Sequence, residues 1–173
     1  FVGKNPNYLG GYLWLLEELI ADCRLEEAEK VWETVRQLDD SCRVPYYQGK
    51  IAWQRGDHQK AEAIWLRMLE DYSGDWLAFA NMADAMAYAC RYDEAIRYYK
   101  RAQELQPSPR YTDAQMTAAH IYEIQGRYAE AVESLKEQLE ILKTEWNITE
   151  GREVEHIHRE MDRLHRVMSG AAD

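Results

Sequence analysis

The sequence predicts an all-α protein in which pairs of helices are stacked one after another. Three observations support this prediction. An anchoring alanine recurs at Ala28, Ala61, Ala95 and Ala131, with spacings of 33, 34 and 36 residues, and a period of this length is typical of stacked supersecondary units. Apolar residues around each alanine recur every three or four positions, which is the spacing of one helix face. Glycine or proline interrupts the pattern at regular places, where a helix would end.

Length and composition fit one acidic domain. The chain has 173 residues, 46% of them hydrophobic, which is enough for one substantial core. Its formal net charge is −10. Such a surface repels a phosphate backbone, so we expect no nucleic-acid partner. No apolar run approaches the roughly 20 residues that span a bilayer, so we expect no membrane partner.

The cysteines indicate a reducing compartment. Cys23, Cys42 and Cys90 are the three cysteines. An odd number without framework spacing is typical of reduced thiols rather than of a disulfide scaffold. We therefore expect a cytoplasmic protein.

Each copy of the repeat is predicted to hold two helices joined by a tight turn. In the third copy, "DWLAFANMADAMAYA" and "AIRYYKRAQEL" carry helical spacing on either side of "CRYDE", and Pro107 ends the second helix. Gly56 and Gly126 suit the left-handed position that follows a first helix. Cys23 and Cys90 stand at this position in the first and third copies, which predicts turns that are harder to build but not forbidden.

Small and bulky residues alternate where the two helices of a pair must cross. This alternation is what interlocking helix ridges require. The small positions midway along the first helices are Gly49, Ala83 and Ala119, and the bulky positions, four residues after each anchoring alanine, are Trp32, Trp65, Tyr99 and Leu135.

The pattern resembles the tetratricopeptide repeat from about Leu9 to Leu142, most closely in "CRYDEAIRYYKRAQELQP" and "GRYAEAVESL". The resemblance implies a right-handed superhelix, an α-solenoid of about four helix pairs. Leu16 departs from the pattern where a small residue is expected, and Val35 and Met68 depart where a second alanine is usual. These departures imply wider helix spacing in the first repeats. Two extra residues around Arg110-Tyr111 imply a small kink before the fourth repeat.

The chain divides into three predicted segments. Residues 1–8, with "KNPN" at Lys4 to Asn7, are interpreted as the tail of a preceding repeat or a linker, so we expect a piece of a longer protein. Residues 9–146 hold the four helix pairs. Residues 147–173 hold a capping helix and a disordered tail. The cap is predicted to cover the last repeat with an apolar stripe of Val154, Ile157, Met161, Leu164 and Met168.

The resemblance also implies a concave groove lined by the first helix of each repeat. Aromatic anchors mixed with hydrogen-bonding side chains suit an extended peptide or a helix of a partner protein, and the acids favour basic residues in that partner. The alternative is a plain solvated face. By register, the lining residues are Trp14, Glu17, Tyr46, Tyr47, Lys50, Gln54, Asn81, Asp84, Tyr88, Asp113, Thr117 and His120.

One specific use of such grooves is disfavoured. Arrays that clamp the terminal carboxylate of heat-shock chaperone tails carry Lys or Arg and Asn at set groove positions. Asn81 matches one of these positions, but Tyr46, Lys50, Asp113 and Thr117 occupy its neighbours. Two of the basic residues are absent and an acid replaces one of them, so we do not expect a carboxylate clamp.

No pattern in the sequence indicates catalysis. It contains no glycine-rich phosphate loop, no Gly-x-Ser-x-Gly and no Cys-x-x-Cys. His158, Asp162 and His165 fall on one face of the last helix and match the spacing of metal ligands. The alternative, a solvated polar face, is preferred. We therefore expect no metal, no cofactor and no enzymatic activity.

The predicted function is that of a non-enzymatic scaffold that binds a protein or peptide in its groove. The alternative is a ligand-sensing or self-association domain of a multi-domain bacterial regulator or co-chaperone. The sequence leaves the oligomeric state and the identity of the partner open.

Overall fold

The computed structural model describes residue 3 and residues 5–170. The part of the chain that it describes contains nine α-helices and no strand. The assignments of Phe1, Val2 and Lys4 to an earlier repeat, and of residues 171–173 to a disordered tail, lie outside the described residues. The helices are α1 Leu9–Ala21, α2 Leu25–Leu38, α3 Arg43–Gln54, α4 His58–Asp71, α5 Trp76–Tyr88, α6 Tyr92–Leu105, α7 Asp113–Ile124, α8 Tyr128–Glu145 and α9 Arg152–Ser169.

Each helix packs against its partner and against the neighbouring pair. α1 packs on α2, α3 on α4, α5 on α6 and α7 on α8, while α2, α4 and α6 each contact the first helix of the next pair. The first helices also meet one another, α1 with α3 and α3 with α5, and α9 packs on α8. Contacts of this kind build a one-dimensional stack. The predicted all-α helical-repeat solenoid is confirmed.

A close approach within a pair lies where α4 crosses α3. The fully buried Trp65 indole covers Gly49 and donates its Nε1–H to the carbonyl of Tyr46 at 3.1 Å. A Cβ on Gly49 would stand 2.0 Å from that nitrogen. The four anchoring alanines are also fully buried. The predicted alternation of small and bulky residues therefore determines how near the helices come.

The turns inside the pairs share one conformation. Gly56 and Gly126 have φ of +88° and +71°, and Cys23 and Cys90 adopt +58° and +59° at the equivalent positions. The residue after each of them donates its N–H to a carbonyl five residues back, as Arg91 does to Met86 at 2.8 Å. This is the Schellman closure of a helix C-terminus. A side chain in the left-handed region costs about 1–2 kcal/mol, so the two cysteine turns are strained as expected.

The last helix covers the fourth pair along most of its length. Val154, Ile157 and Leu164 are buried and Met161 is partly buried. Met168 was expected to continue this stripe, and that expectation is wrong, because the residue is 44% exposed. Residues four apart lie on the same side of a helix, so the surface that covers α9 ends between Leu164 and Met168.

Replacement of Gly49 by alanine tests the helix crossing. The added Cβ has no space beside the buried Trp65 ring, and overpacking of this kind costs about 1–3 kcal/mol. We expect the free energy of unfolding in urea to fall by about 2 kcal/mol. Gly74→Ala is the matched control, because a Cβ there meets no atom within 4 Å. Equal stability of the two variants would show that the crossing has room to spare.

Replacement of Cys90 by glycine tests the strain in the turns. Glycine adopts the left-handed conformation without a Cβ penalty. We therefore expect the free energy of unfolding, measured by thermal unfolding, to rise by about 0.5–1 kcal/mol. Ala89→Gly is the control, since the Ala89 φ of −80° suits any residue. That variant should lose stability, and a loss at both positions would contradict the strained-turn interpretation.

Candidate functional site

The first helices present equivalent positions side by side. Glu17, Lys50, Asp84 and His120 are separated by 33, 34 and 36 residues, the same spacings as the anchoring alanines. They therefore occupy one register position on α1, α3, α5 and α7. The first three alternate in charge, and the contacts around them organise the middle of the predicted groove.

Lys50 lies at the centre of a cluster formed by residues of the first three repeats. Its Nζ is 2.5 Å from Glu17 Oε2 and lies 5.4, 5.8 and 5.2 Å from the ring centres of Tyr46, Tyr47 and Tyr88. The lysine, Tyr46 and Tyr47 are each less than 10% exposed. A carboxylate and three ring faces satisfy this cation internally. The lysine therefore stabilises the groove floor and presents little charge to a partner.

A chain of hydrogen bonds extends from this cluster across three repeats. The Tyr88 hydroxyl donates to Gln54 Oε1, and Gln54 Nε2 donates to Cys23 Sγ at 2.9 Å. The Tyr88 ring is 38% exposed. Its orientation is thus fixed by Lys50 and Gln54 while part of its surface remains open to a partner.

Asp84 is held by the second helix of its own pair. Tyr99 donates its hydroxyl to Asp84 Oδ1. The carboxylate has an open face towards the groove, but protein atoms surround its other sides, and this burial raises the pKa of Asp84. The Tyr99 hydrogen bond and Lys50 oppose the rise, whereas Glu17 and Asp113 add to it. Asp84 is therefore a carboxylate among other carboxylates, and a cation beside it would be stabilised.

A cavity of about 500 Å³ opens between α5 and α7. Asp84, Asp113, Trp76 and Tyr111 lie on its walls, together with the buried side chain of Asn81. The rings of Trp76 and Tyr111 are 5.9 Å apart at an interplanar angle of 29°. The cavity combines aromatic surface with hydrogen-bonding groups, as small-ligand and side-chain pockets do.

The linker at residues 106–112 is what brings Tyr111 to this cavity. Glu145, near the end of α8, accepts hydrogen bonds from the Arg110 side chain at 2.7 Å, from the Arg110 N–H at 2.8 Å and from Ser108 Oγ at 3.0 Å. Trp146 donates its Nε1–H to the Arg110 carbonyl at 2.6 Å, and its ring lies 6.0 Å from that of Tyr111. The predicted two-residue insertion is therefore clamped onto α8.

Ten of the twelve predicted lining residues form two groups, one at the Lys50 cluster and the other at the cavity. The remaining two lie elsewhere. Trp14 is 65% exposed on α1 and His120 is exposed on α7, and neither lines the cavity. The first group consists of Glu17, Tyr46, Tyr47, Lys50, Gln54 and Tyr88, and the second of Asn81, Asp84, Asp113 and Thr117.

Sequence reasoning missed several residues around the cavity, among them four with aromatic or charged side chains. The first residues of α3 and α5 and the aromatic residues flanking α7 and α8 were not counted as lining positions. Their signal in the sequence is weak, because the lining was read from fixed positions within the first helices, and these residues lie at helix ends or in linkers. They are Arg43, Trp76, Tyr111 and Trp146.

A second cavity, of about 530 Å³, lies away from the groove beside α2, α3 and α4. Its lining mixes Glu29 and Glu33 with Lys30, Arg55 and Lys60. Arg55 is already paired with Glu29. Opposite charges in close proximity satisfy one another, so this cavity offers a partner less unmatched charge than the one between α5 and α7.

Other candidate chemistry finds little support in the geometry. His158, Asp162 and His165 are exposed on α9, and within residues 5–170 no three His, Cys, Asp or Glu side chains are grouped to hold a metal ion. Burial, followed by the nearby Asp75, raises the pKa of Cys42 to about 12. That thiol is protonated at neutral pH, and a protonated thiol is a poor nucleophile. None of the helices in the described part is long and apolar enough to cross a membrane.

The stack of helix pairs, with contacts between successive first helices, defines the protein as a helical-repeat scaffold. Tetratricopeptide-repeat profiles match residues 76–109 and 112–141. These two segments of the chain are therefore tetratricopeptide repeats. No curated protein sequence matches the chain significantly.

Solved structures share this fold at low sequence identity. The chain is similar to a tetratricopeptide repeat protein from Parabacteroides merdae (TM-score 0.63, 14% identity, covering 95% of this chain and 60% of that one). It is also similar to the TPR2B domain of yeast Sti1 in a complex with pHsp70 (TM-score 0.53, 21% identity, covering 70% of this chain and 96% of that one). A third similar structure is YrrB, a TPR protein described with an unusual peptide-binding site (TM-score 0.51, 17% identity, covering 83% of this chain and 73% of that one). At these identities the likeness shows the shared fold.

Replacement of Glu145 by glutamine tests the clamp on the linker. The hydrogen bonds from Arg110 lower the pKa of Glu145 from an ordinary 4.5 to about 2. A lowered folded-state pKa contributes stability above the unfolded value, and this contribution is lost as the pH falls through the folded value. At pH 7 we expect the unmodified chain to have a higher melting temperature than Glu145→Gln. The difference between the two melting temperatures should disappear as the pH falls from 4.5 to 2.

The control for this titration is Glu140→Gln, an exposed carboxylate on the same helix. Its melting temperature should follow that of the unmodified chain over the whole pH range. If the Glu145 gap does not change with pH, Glu145 does not hold the linker through its charge.

Proposed function

We propose that the array holds a peptide segment or helix of a partner protein in the groove formed by α1, α3, α5 and α7. The observation that carries the proposal is the cavity between α5 and α7, where aromatic rings and hydrogen-bonding groups converge on one open space. The fold is shared with the Sti1 domain in its pHsp70 complex and with the peptide-binding protein YrrB. That likeness supports the class of partner and leaves its sequence open.

The centre of the proposed contact lies towards the third and fourth repeats. Tyr47 and Lys50 were expected to contact the partner, but each is more than nine-tenths buried and contributes to the cluster on the groove floor. Tyr88 and Tyr111 are 38% and 57% exposed. Exposed aromatic surface held in a fixed orientation contributes most to interface energies, so these two rings are the proposed anchors.

The proposed partner carries basic residues. Asp113 has no ion-pair partner within the described residues, and Asp84 is hydrogen-bonded only to a neutral hydroxyl. The net charge of −10 accelerates the encounter with a basic segment and repels an acidic one. A nucleic acid is disfavoured as a partner for the same reason. The three cysteines are free thiols, and we propose the cytoplasm as the setting.

A second candidate function is self-association or ligand sensing within a larger regulator or co-chaperone. The observation in its favour is Trp14, which is 65% exposed on the first helix of the stack. An exposed aromatic ring offers a surface for another copy or another domain. Sedimentation of the chain over a range of concentrations, with Trp14→Ala as comparison, tests this candidate.

Selection of peptides from a random library displayed on phage tests the groove proposal. We expect the selected peptides to share Lys or Arg and an apolar residue, and to bind Tyr88→Ala about 30-fold more weakly, because truncation of an anchor ring costs about 2 kcal/mol. Fluorescence anisotropy with a labelled peptide measures both affinities.

The control for this selection is Leu66→Ala, which truncates a side chain that is 52% exposed on α4, a second helix. Binding should be unchanged in this variant. If Leu66→Ala abolishes binding and Tyr88→Ala does not, the partner binds outside the groove and the proposal is wrong.

A further inference from the structure

We propose that the cavity between α5 and α7 is a pocket for one arginine side chain of the bound segment. The proposal rests on the groove function above and specifies the residue that the groove selects. The cavity, of about 500 Å³, admits a single long side chain rather than a helix. Aromatic walls, unpaired carboxylates and a free amide oxygen each favour a guanidinium as its occupant.

The aromatic wall suits a planar cation. Trp76 and Tyr111 lie 5.9 Å apart with their planes 29° from parallel, and Trp146 continues the row behind Tyr111. A guanidinium stacks on such faces, through both its charge and its flat shape. Because Arg110 is held by Glu145, the row is built before any partner arrives.

The carboxylates provide the opposite charge. Asp113 and Asp84 both line the cavity, and their repulsion contributes to the raised pKa of Asp84. Two cations of the chain are near, but neither forms an ion pair with Asp84 or Asp113. Lys50 is bound to Glu17 at 2.5 Å. Arg43, on the cavity wall, donates to Ser41 Oγ at 3.3 Å and lies 4.0 Å from Asp39. A cation from outside would therefore be the one to neutralise the pair.

Asn81 adds a hydrogen-bond acceptor to the cavity wall. Its side chain is more than nine-tenths buried and forms part of the cavity wall. Its Nδ2 donates to Cys42 Sγ at 3.4 Å. The amide oxygen accepts no hydrogen bond from the described residues and is free to accept one from an occupant of the cavity. A guanidinium N–H satisfies this oxygen, and its five donors suit a site with several separate acceptors better than the ammonium of lysine does.

The test uses three blocked pentapeptides with arginine, lysine or glutamine between glycines, added to the full ¹⁵N-labelled chain. The indole N–H signal of Trp76, assigned with Trp76→Phe, reports on the cavity. We expect the arginine peptide to shift this signal at lower concentration than the lysine peptide, and the glutamine peptide to leave it in place. Asp113→Asn should weaken arginine binding about fivefold. Asp162→Asn, on α9, should not change it.

An equal shift of the Trp76 signal with the glutamine peptide, or unchanged arginine affinity in Asp113→Asn, would overturn the pocket. The signals of the other five tryptophans verify that the variants are folded. If library-selected peptides depend on Tyr88 while the arginine peptide leaves Trp76 unmoved, the groove proposal holds and the pocket proposal fails. If the arginine peptide binds and no library peptide depends on Tyr88, the pocket proposal holds and the groove proposal fails.

Discussion

The contact on which the other packing depends is the one between the bulky residue of each second helix and the small residue of the first. Trp65 lies directly against Gly49 and anchors its indole nitrogen on the carbonyl of Tyr46. The hydroxyl of Tyr99, at the equivalent position, donates to Asp84. In the second and third pairs the bulky residue therefore fills the crossing and also fixes the first helix through a polar atom. Because the first helices line the groove, core packing sets the positions of the groove residues.

Between pairs, a different interaction recurs. At each junction an arginine of one unit reaches an acid of the unit before it. Exposed ion pairs contribute less than about 1 kcal/mol each, so their importance lies in orientation, since a fork of donors holds a neighbour at one angle. The pairs are Arg55 with Glu26 and Glu29, Arg91 with Glu62, Arg127 with Asp93, and Arg163 with Glu123.

The candidate pocket arises where the repeat departs from its own period. The linker before α7 is longer than the one before α5, and Glu145 and Trp146 at the end of α8 hold it in place. Tyr111, in that linker, is thereby placed beside Trp76. A strictly regular array would have neither this ring nor its support. The irregular repeat is consequently where the groove gains a feature that its other repeats do not share.

The sequence by itself determined the helices, their pairing and the cap, because these follow from local periodicity and from turn residues such as Gly56. It also located Asp84 and Tyr88 on the first helices. Only the tertiary structure decided that Lys50 is buried among three tyrosines, that Met168 is exposed, and that Tyr111 lies beside α5. These outcomes depend on contacts between residues more than thirty positions apart, or on where a covering surface ends. Local sequence patterns do not predict these contacts or the end of that surface, since both depend on how successive pairs are rotated and offset in the stack.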